Sequence, residues 1–226
     1  FEDDEATTAA QTPPAKGITV GSGNPCTAGV VTYTDKAQTV SNMLKIYSAS
    51  GINGTGVLNL DRFTQKSTDY SVTWRQVVTP SLTYKNGILM RGDVNTIGTD
   101  NSGYTQGMMA GYYLSVYKNG ANTEFRVYKS TAARTLAMIN STSVPLSFER
   151  KQSVWYRASV SGTQKVTLKL EYAFDGDNWE LGTATTDDGG MFQMGATQFV
   201  WGLAASKANF HIDDIVFKGI TFDESV

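Results

Sequence analysis

The chain has 226 residues, is 40% hydrophobic and carries a formal net charge of −2. This length and apolar content suffice for the core of one large domain, so we predict a single domain over residues 1–226. The lysines and arginines are scattered singly, which excludes a basic stripe of the kind that binds nucleic acid or an anionic membrane. The only cysteine and the only histidine, Cys26 and His211, exclude an internal disulfide and a cysteine-based zinc site.

The composition also bears on where the protein acts. Small and hydroxyl-bearing residues are abundant and charged residues make up only 18%, a balance that is typical of exported β-proteins. No run of about 20 apolar residues is present, so no transmembrane segment is expected. We therefore expect an extracellular, cell-surface or periplasmic location.

The first 16 residues are acidic, then small, polar and proline-bearing, which predicts an irregular or edge segment. After it, apolar and polar residues alternate with a period of two. The pattern is visible from Tyr70 to Val78 and is clearest from Lys165 to Asp175. No segment has a helical repeat. Further strands are predicted at 28–34, 43–49, 55–60, 86–92, 110–118, 123–130, 134–139, 153–161, 178–184, 197–205 and 208–218.

Turn-forming sequences separate these strands, among them KNG at 85–87, KNGAN at 118–122 and DGDN at 175–178. The short connections predict two hairpins, 110–118 with 123–130 and 164–174 with 178–184. Because a strand with one apolar face needs a second sheet to cover it, the fold class predicted is an all-β antiparallel two-sheet sandwich of the jelly-roll type.

Three stretches carry a resemblance to a known superfamily. They are GILMRG with GYYLSVYKNG…FRVYKS, VWYRASVSGTQKVTLKLEYAFDGDNWE, and FVWGLAASKANFHIDDIVFKG, at 87–130, 154–180 and 199–219. Together they resemble the concanavalin A-like lectin/glucanase superfamily, in particular the LamG-like modules attached to bacterial polysaccharide lyases and glycoside hydrolases. The resemblance implies a jelly roll and a carbohydrate-related role, with other domains of a larger enzyme as further partners.

Related jelly-roll modules also hold a structural calcium between an N-terminal FE strand and a C-terminal I-D-D strand. The resemblance therefore implies a calcium site at Glu2, Asp213 and Asp214, since calcium takes carboxylate ligands in flexible geometry. The alternative is that these acids are solvated residues at strand ends.

No catalytic residue is predicted. A glucanase of this fold needs carboxylates on alternate residues of one strand, and no E-x-D-x-E sequence is present. Asp175 and Asp177 have that spacing but belong to a turn, where they stabilise the backbone reversal. His211 is interpreted as a surface or interface residue. A lyase with a Tyr, Lys, Arg or His base stays open.

Sugar binding needs an aromatic face for the C–H groups of the ring and planar polar side chains for its hydroxyls. If strands 86–92, 110–118 and 123–130 are neighbours, alternation brings a set of such side chains to the outer face of one sheet: Arg91, Tyr113, Tyr117, Arg126 and Tyr128. Cross-strand packing is the alternative role for these tyrosines. Trp74, Trp155 and Trp201 are predicted in the core, and Trp179 as a partly exposed hairpin anchor.

The leading hypothesis is a non-catalytic carbohydrate-associated module of an exported bacterial protein that binds a polysaccharide or oligosaccharide. A polysaccharide lyase or glycoside hydrolase of the same fold is the alternative, and a protein-interaction or spacer module without a sugar site is the third.

Overall fold

The computed structural model describes residues 18–20, 26–48, 54–60, 67–77, 83–93, 95–96, 107–119, 122–130, 135–203 and 209–219. These residues form fourteen strands. The strands are β1 (Ile18–Val20), β2 (Cys26–Thr34), β3 (Val40–Ser48), β4 (Gly54–Asn59), β5 (Tyr70–Val77), β6 (Tyr84–Asp93), β7 (Ala110–Asn119), β8 (Asn122–Ser130), β9 (Leu136–Val144), β10 (Ser153–Ser161), β11 (Val166–Ala173), β12 (Glu180–Asp187), β13 (Ala196–Leu203) and β14 (Asn209–Lys218).

Two seven-stranded antiparallel sheets make up the architecture, as predicted. The front sheet has the order β1-β4-β13-β6-β7-β8-β9, and the back sheet has the order β12-β11-β10-β5-β14-β3-β2. Both predicted hairpins are confirmed, since β7 pairs with β8 and β11 pairs with β12. No helix in the described ranges is long and apolar enough to cross a membrane.

The core lies between the sheets and is built by the period of two in the facing strands. Trp74 of the back sheet and Trp201 of the front sheet are both fully buried there, as predicted. Phe199 packs edge-on to Trp74, with ring centroids 6.1 Å apart. These aromatic contacts join the two sheets across the middle of the sandwich.

Two sequence-based predictions about individual elements are wrong. Trp155 is only half-buried and lies on the outer side of the back sheet, against the turn at Gly176. The KNG sequence at 85–87 is not a turn but lies inside β6. Gly87 is there because β7 runs very close: a Cβ atom at this position would lie 2.0 Å from the Leu114 carbonyl oxygen. The predicted irregular segment 1–16 lies outside the described residues.

Candidate functional site

The outer face of the front sheet carries a row of polar and aromatic side chains from three neighbouring strands. The pairing of β6, β7 and β8 aligns Leu89, Tyr113 and Tyr128 in one row, and Lys85, Tyr117 and Glu124 in another. Arg126 lies between these rows and pairs with Ser115. We call this set the tyrosine face: Lys85, Tyr113, Tyr117, Glu124, Arg126 and Tyr128.

The accessible part of the tyrosine face is centred on Arg126. Its guanidinium carbon lies 3.8 Å from the centroid of the Tyr117 ring, so the two planar groups stack. The Arg126 Nε donates to a Glu124 carboxylate oxygen at 2.9 Å, and Nη1 points to the Tyr128 hydroxyl at 3.4 Å. Because the side chains of Arg126 and Glu124 are 21% and 32% exposed, this group is held in place but still reachable from solvent.

Lys85 reaches across the same face from β6. Its ammonium lies 4.6 Å from the centroid of the Tyr128 ring and 5.2 Å from that of Tyr113. Burial, and secondly the charge of Arg126, lowers the pKa of Lys85 to about 8. Within the described part of the chain no carboxylate is in ion-pair contact with this ammonium.

Tyr113 lies on the predicted face but is buried, with 1% exposure. It belongs to a second apolar cluster with Val57, Leu89, Met108 and Val200, on the outer side of the front sheet. Its ring packs along that of Tyr128 at 5.9 Å. A ligand therefore cannot stack on Tyr113 directly, and this residue supports the ring of Tyr128 instead.

The segment 107–109 covers this second cluster and so limits the open part of the face. Gln198 on β13 fixes the segment, because its Nε2 donates to the Gly107 carbonyl at 2.9 Å and its Oε1 accepts from the Met109 N–H at 3.0 Å. The ends of the face therefore differ: it is closed at Tyr113 and accessible at Tyr117, Arg126 and Tyr128.

Arg91 does not share this face, so that part of the sequence prediction is wrong. A bulge interrupts the pairing of β6 with β7 between Met90 and Asp93, and Arg91 has a positive φ of 53°. The bulge reverses the alternation and turns the Arg91 side chain into the protein, where it has no exposure. There its guanidinium donates to the carbonyls of Phe192 at 2.9 Å and Gly162 at 2.7 Å, and to that of Thr68.

The predicted metal ligands Asp213 and Asp214 lie on the outer side of the back sheet, around the buried Arg75. The Arg75 guanidinium contacts one oxygen of each carboxylate at 2.8 Å, and Asp35 lies 3.7 Å away. The protein itself thus supplies one cation that contacts these acids. Among the described residues, no three His, Cys, Asp or Glu side chains form a group that could hold a metal ion. Glu2 lies outside the described residues.

His211 is on the same side of the back sheet and is buried, whereas the sequence predicted a surface or interface residue. It is 6% exposed and stacks on the Tyr33 ring at 3.9 Å. Burial, with smaller contributions from Lys45 and Lys151, lowers its pKa to about 3. It is therefore neutral at physiological pH, and it lies on the sheet opposite to the tyrosine face.

The turn at 175–178 is confirmed. Asp175 accepts from the backbone N–H groups of Asp177 and Asn178 at 2.9 and 2.8 Å. These hydrogen bonds, those of Asn178 above all, lower the pKa of Asp175 to about 2. The carboxylate therefore shapes the turn.

Lys85 and Glu124 are the two residues of this face that the sequence interpretation missed. The KNG sequence that contains Lys85 predicts a turn, so the alternation expected for strand 86–92 does not reach it. The signal that could have found it is the continued period of two through Lys85, Gly87 and Leu89, which sets all three on one side of β6.

No protein-family model matches this sequence, and no curated protein matches it either. Solved structures do match. The legume lectin-like domain from Entamoeba histolytica has 7% identity and a TM-score of 0.58 over 91% of each chain. The endo-β-1,4-glucuronan lyase from the fungus Trichoderma reesei has 12% identity and a TM-score of 0.54 over 90% of each chain. The VIP36 exoplasmic/lumenal domain, in a Ca²⁺/Man₃GlcNAc-bound form, has 10% identity and a TM-score of 0.53 over 89% of this chain and 86% of that one.

At sequence identities of 7–12%, the similarity to these structures shows a shared fold and no more. The chain is thus an antiparallel two-sheet β-sandwich. Its particular fold is the concanavalin A-like jelly roll that these lectin-like domains and the lyase also adopt.

Proposed function

We propose that this chain is a carbohydrate-binding module that holds a polysaccharide or oligosaccharide on the accessible part of the tyrosine face. The observation that carries the proposal is the stacked pair of Tyr117 and Arg126, with Tyr128 beside it, on the outer face of the front sheet. Aromatic rings contact the C–H faces of sugars, and a fixed guanidinium donates to sugar oxygens.

The tyrosine face favours glycan binding over hydrolysis as the function, because its one carboxylate is held in an ion pair. Glu124 is held by Arg126 on the same strand, and a glycosidase needs a second carboxylate across the sugar. The described part of the tyrosine face contains no such partner among its six residues.

One observation favours the lyase alternative. Lys85, with its pKa near 8, lies beside tyrosines and Arg126, and a lysine with a lowered pKa can act as a base. A Tyr–His base is not assembled on the tyrosine face, because His211 lies on the back sheet, where it stacks on Tyr33. Incubation with a panel of polyuronates, followed by absorbance of unsaturated uronate products, tests this alternative, and product formation would favour the enzyme.

The wider context of the proposal comes from the resemblance to LamG-like modules and from the structural neighbours, which include lectin-like domains and a glucuronan lyase. We infer a module of an exported bacterial protein that takes part in polysaccharide utilisation, joined to the other domains of a larger enzyme.

The test of the proposal is a comparison of two matched variants on a glycan array. Tyr117→Ala should weaken glycan binding by about tenfold or more, because it removes both the sugar-stacking ring and the surface that orients Arg126. Trp179→Ala is the control, because Trp179 also stacks under a guanidinium, that of Arg157 at 4.3 Å, but on the back sheet. It should leave binding unchanged.

If the two variants lose glycan binding to the same extent, either the sugar site lies elsewhere or both variants are destabilised. Melting temperatures of the two variants would identify the second case. If the unmodified protein binds no glycan of any class, the result would favour the third hypothesis, a protein-interaction or spacer module without a sugar site.

The structural calcium stays a prediction of the family resemblance, and the geometry argues against it at Asp213 and Asp214. Because Arg75 already contacts one oxygen of each carboxylate, we expect EDTA to leave the melting temperature of the full chain unchanged. A fall in melting temperature that added calcium reverses would show that Glu2 or another residue completes a metal site.

A further inference from the structure

The tyrosine face has a charge balance opposite to that of the whole chain. Lys85 and Arg126 are both cations, while Glu124 is its only acid, so the face carries a net charge of about +1 in a protein of net charge −2. Glu124 is in direct contact with Arg126. The second cation, Lys85, lies over the Tyr113 and Tyr128 rings.

The surroundings of Lys85 raise the free energy of its charged form in the protein without ligand. The side chain is half-buried, and the groups that face it are Tyr113 and Tyr117 from β7 and Glu124, Arg126 and Tyr128 from β8, while its pairing partner on β13 is Gly202. The tyrosine rings attract a cation only weakly, and Arg126 repels it. A partly desolvated ammonium without a carboxylate gains most from an anion brought by a ligand.

Arg126 can donate a hydrogen bond to the same anion. Its Nε and Nη2 contact Glu124, and its third nitrogen makes only the long 3.4 Å contact to the Tyr128 hydroxyl. Both cations border the Tyr128 ring, which belongs to the accessible part of the tyrosine face where the proposed function holds a sugar. An acidic group on that sugar would therefore meet two donors at once.

We infer that the tyrosine face selects acidic glycans, whose sugar rings carry carboxylate or sulfate groups, over neutral ones. The inference rests on the proposed function and narrows its ligand class. It also predicts a pH dependence. Lys85 loses its charge as the pH rises through about 8, whereas carboxylates and sulfates keep theirs, so the preference for acidic glycans should decline between about pH 7 and 9.

The experiment compares acidic polymers with their own neutral forms, by affinity electrophoresis or titration calorimetry with the full chain. One pair is a polyuronate and its carboxyl-reduced derivative, and the other is a sulfated galactan and its desulfated form. We expect the acidic member of at least one pair to bind about tenfold or more tightly at pH 7, and the pair that shows this identifies the anion as carboxylate or sulfate.

Two variants assign the effect to Lys85. Lys85→Met should reduce binding of the acidic polymer by about fivefold to tenfold, bring it close to that of the neutral polymer, and abolish the decline between pH 7 and 9. Lys36→Met, which removes the same charge from the loop beside the back sheet, is the matched control and should have no effect.

The remaining outcomes distinguish an error in the selectivity inference from an error in the proposed function. If acidic and neutral forms bind equally, or if Lys36→Met weakens binding as much as Lys85→Met does, the selectivity inference is wrong and the proposed function survives. If no glycan of any class binds, the proposed function itself is wrong.

Discussion

Replacement of Arg91 by alanine should destabilise the protein by about 3–5 kcal/mol, although the same position was predicted from sequence to touch a ligand. The Arg91 side chain is fully buried and its guanidinium donates to the carbonyls of Thr68, Gly162 and Phe192. Alanine would leave these carbonyls without their donor and would open a cavity between three loops. Urea unfolding followed by tryptophan fluorescence measures the loss.

The matched control for this prediction is Arg126→Ala. Arg126 is also an arginine of the front sheet, but its ion pair with Glu124 is partly solvated, so its loss should cost about 1 kcal/mol or less. Arg126→Ala should instead weaken glycan binding. If Arg91→Ala unfolds at the same urea concentration as the unmodified protein and loses glycan binding, then Arg91 would be a ligand contact after all.

Replacement of Arg75 should also destabilise the protein, in this case because buried ion pairs are lost. Its guanidinium is 5% exposed and contacts Asp213, Asp214 and Ser41, with Asp35 close by. Arg75→Met would preserve much of the side-chain volume but leave the buried carboxylates of Asp35 and Asp213 without a cation. Breaking a buried pair in this way costs about 3–5 kcal/mol. Thermal or urea unfolding at pH 7 measures it.

A second substitution separates this charge effect from lost packing. Asp213→Asn in the Arg75→Met background would remove one uncompensated charge, so the double variant should be more stable than Arg75→Met alone. Arg157→Met is the control, because its partner Glu171 keeps a second cation, Lys169, in contact. A double variant that is no more stable than Arg75→Met would contradict the role given to Arg75.

Much of the fold was predictable because the period of two is strong in this chain. The strand predicted at 153–161 has those bounds in the structure, and the hairpins around 118–122 and 175–178 form as expected. The same alternation correctly separated Tyr117, Arg126 and Tyr128 from the core residues between them. A strand of three residues, β1, was missed, since it is too short for a periodic pattern to appear.

The errors at individual residues have local causes that alternation does not reveal. Arg91 lies within a bulge, where one extra residue turns its side chain to the other face of the strand. Trp155 is the exception, because its alternation with the core residues Val154 and Tyr156 already places it on the outer face, where the turn at Gly176 shields it. His211 also faces outward as predicted, yet the Tyr33 ring covers it.

The sequence by itself determined the strands, the two apolar faces and the general class of fold, because these depend on residues two apart along the chain. Only the tertiary structure decided which charges meet. Arg75 is 138 residues away from Asp213 in sequence, and Lys85 reaches the tyrosine face from a different strand than Arg126. Cations that are scattered singly along the chain thus become a local positive site, because sheet pairing sets residues side by side that the sequence separates.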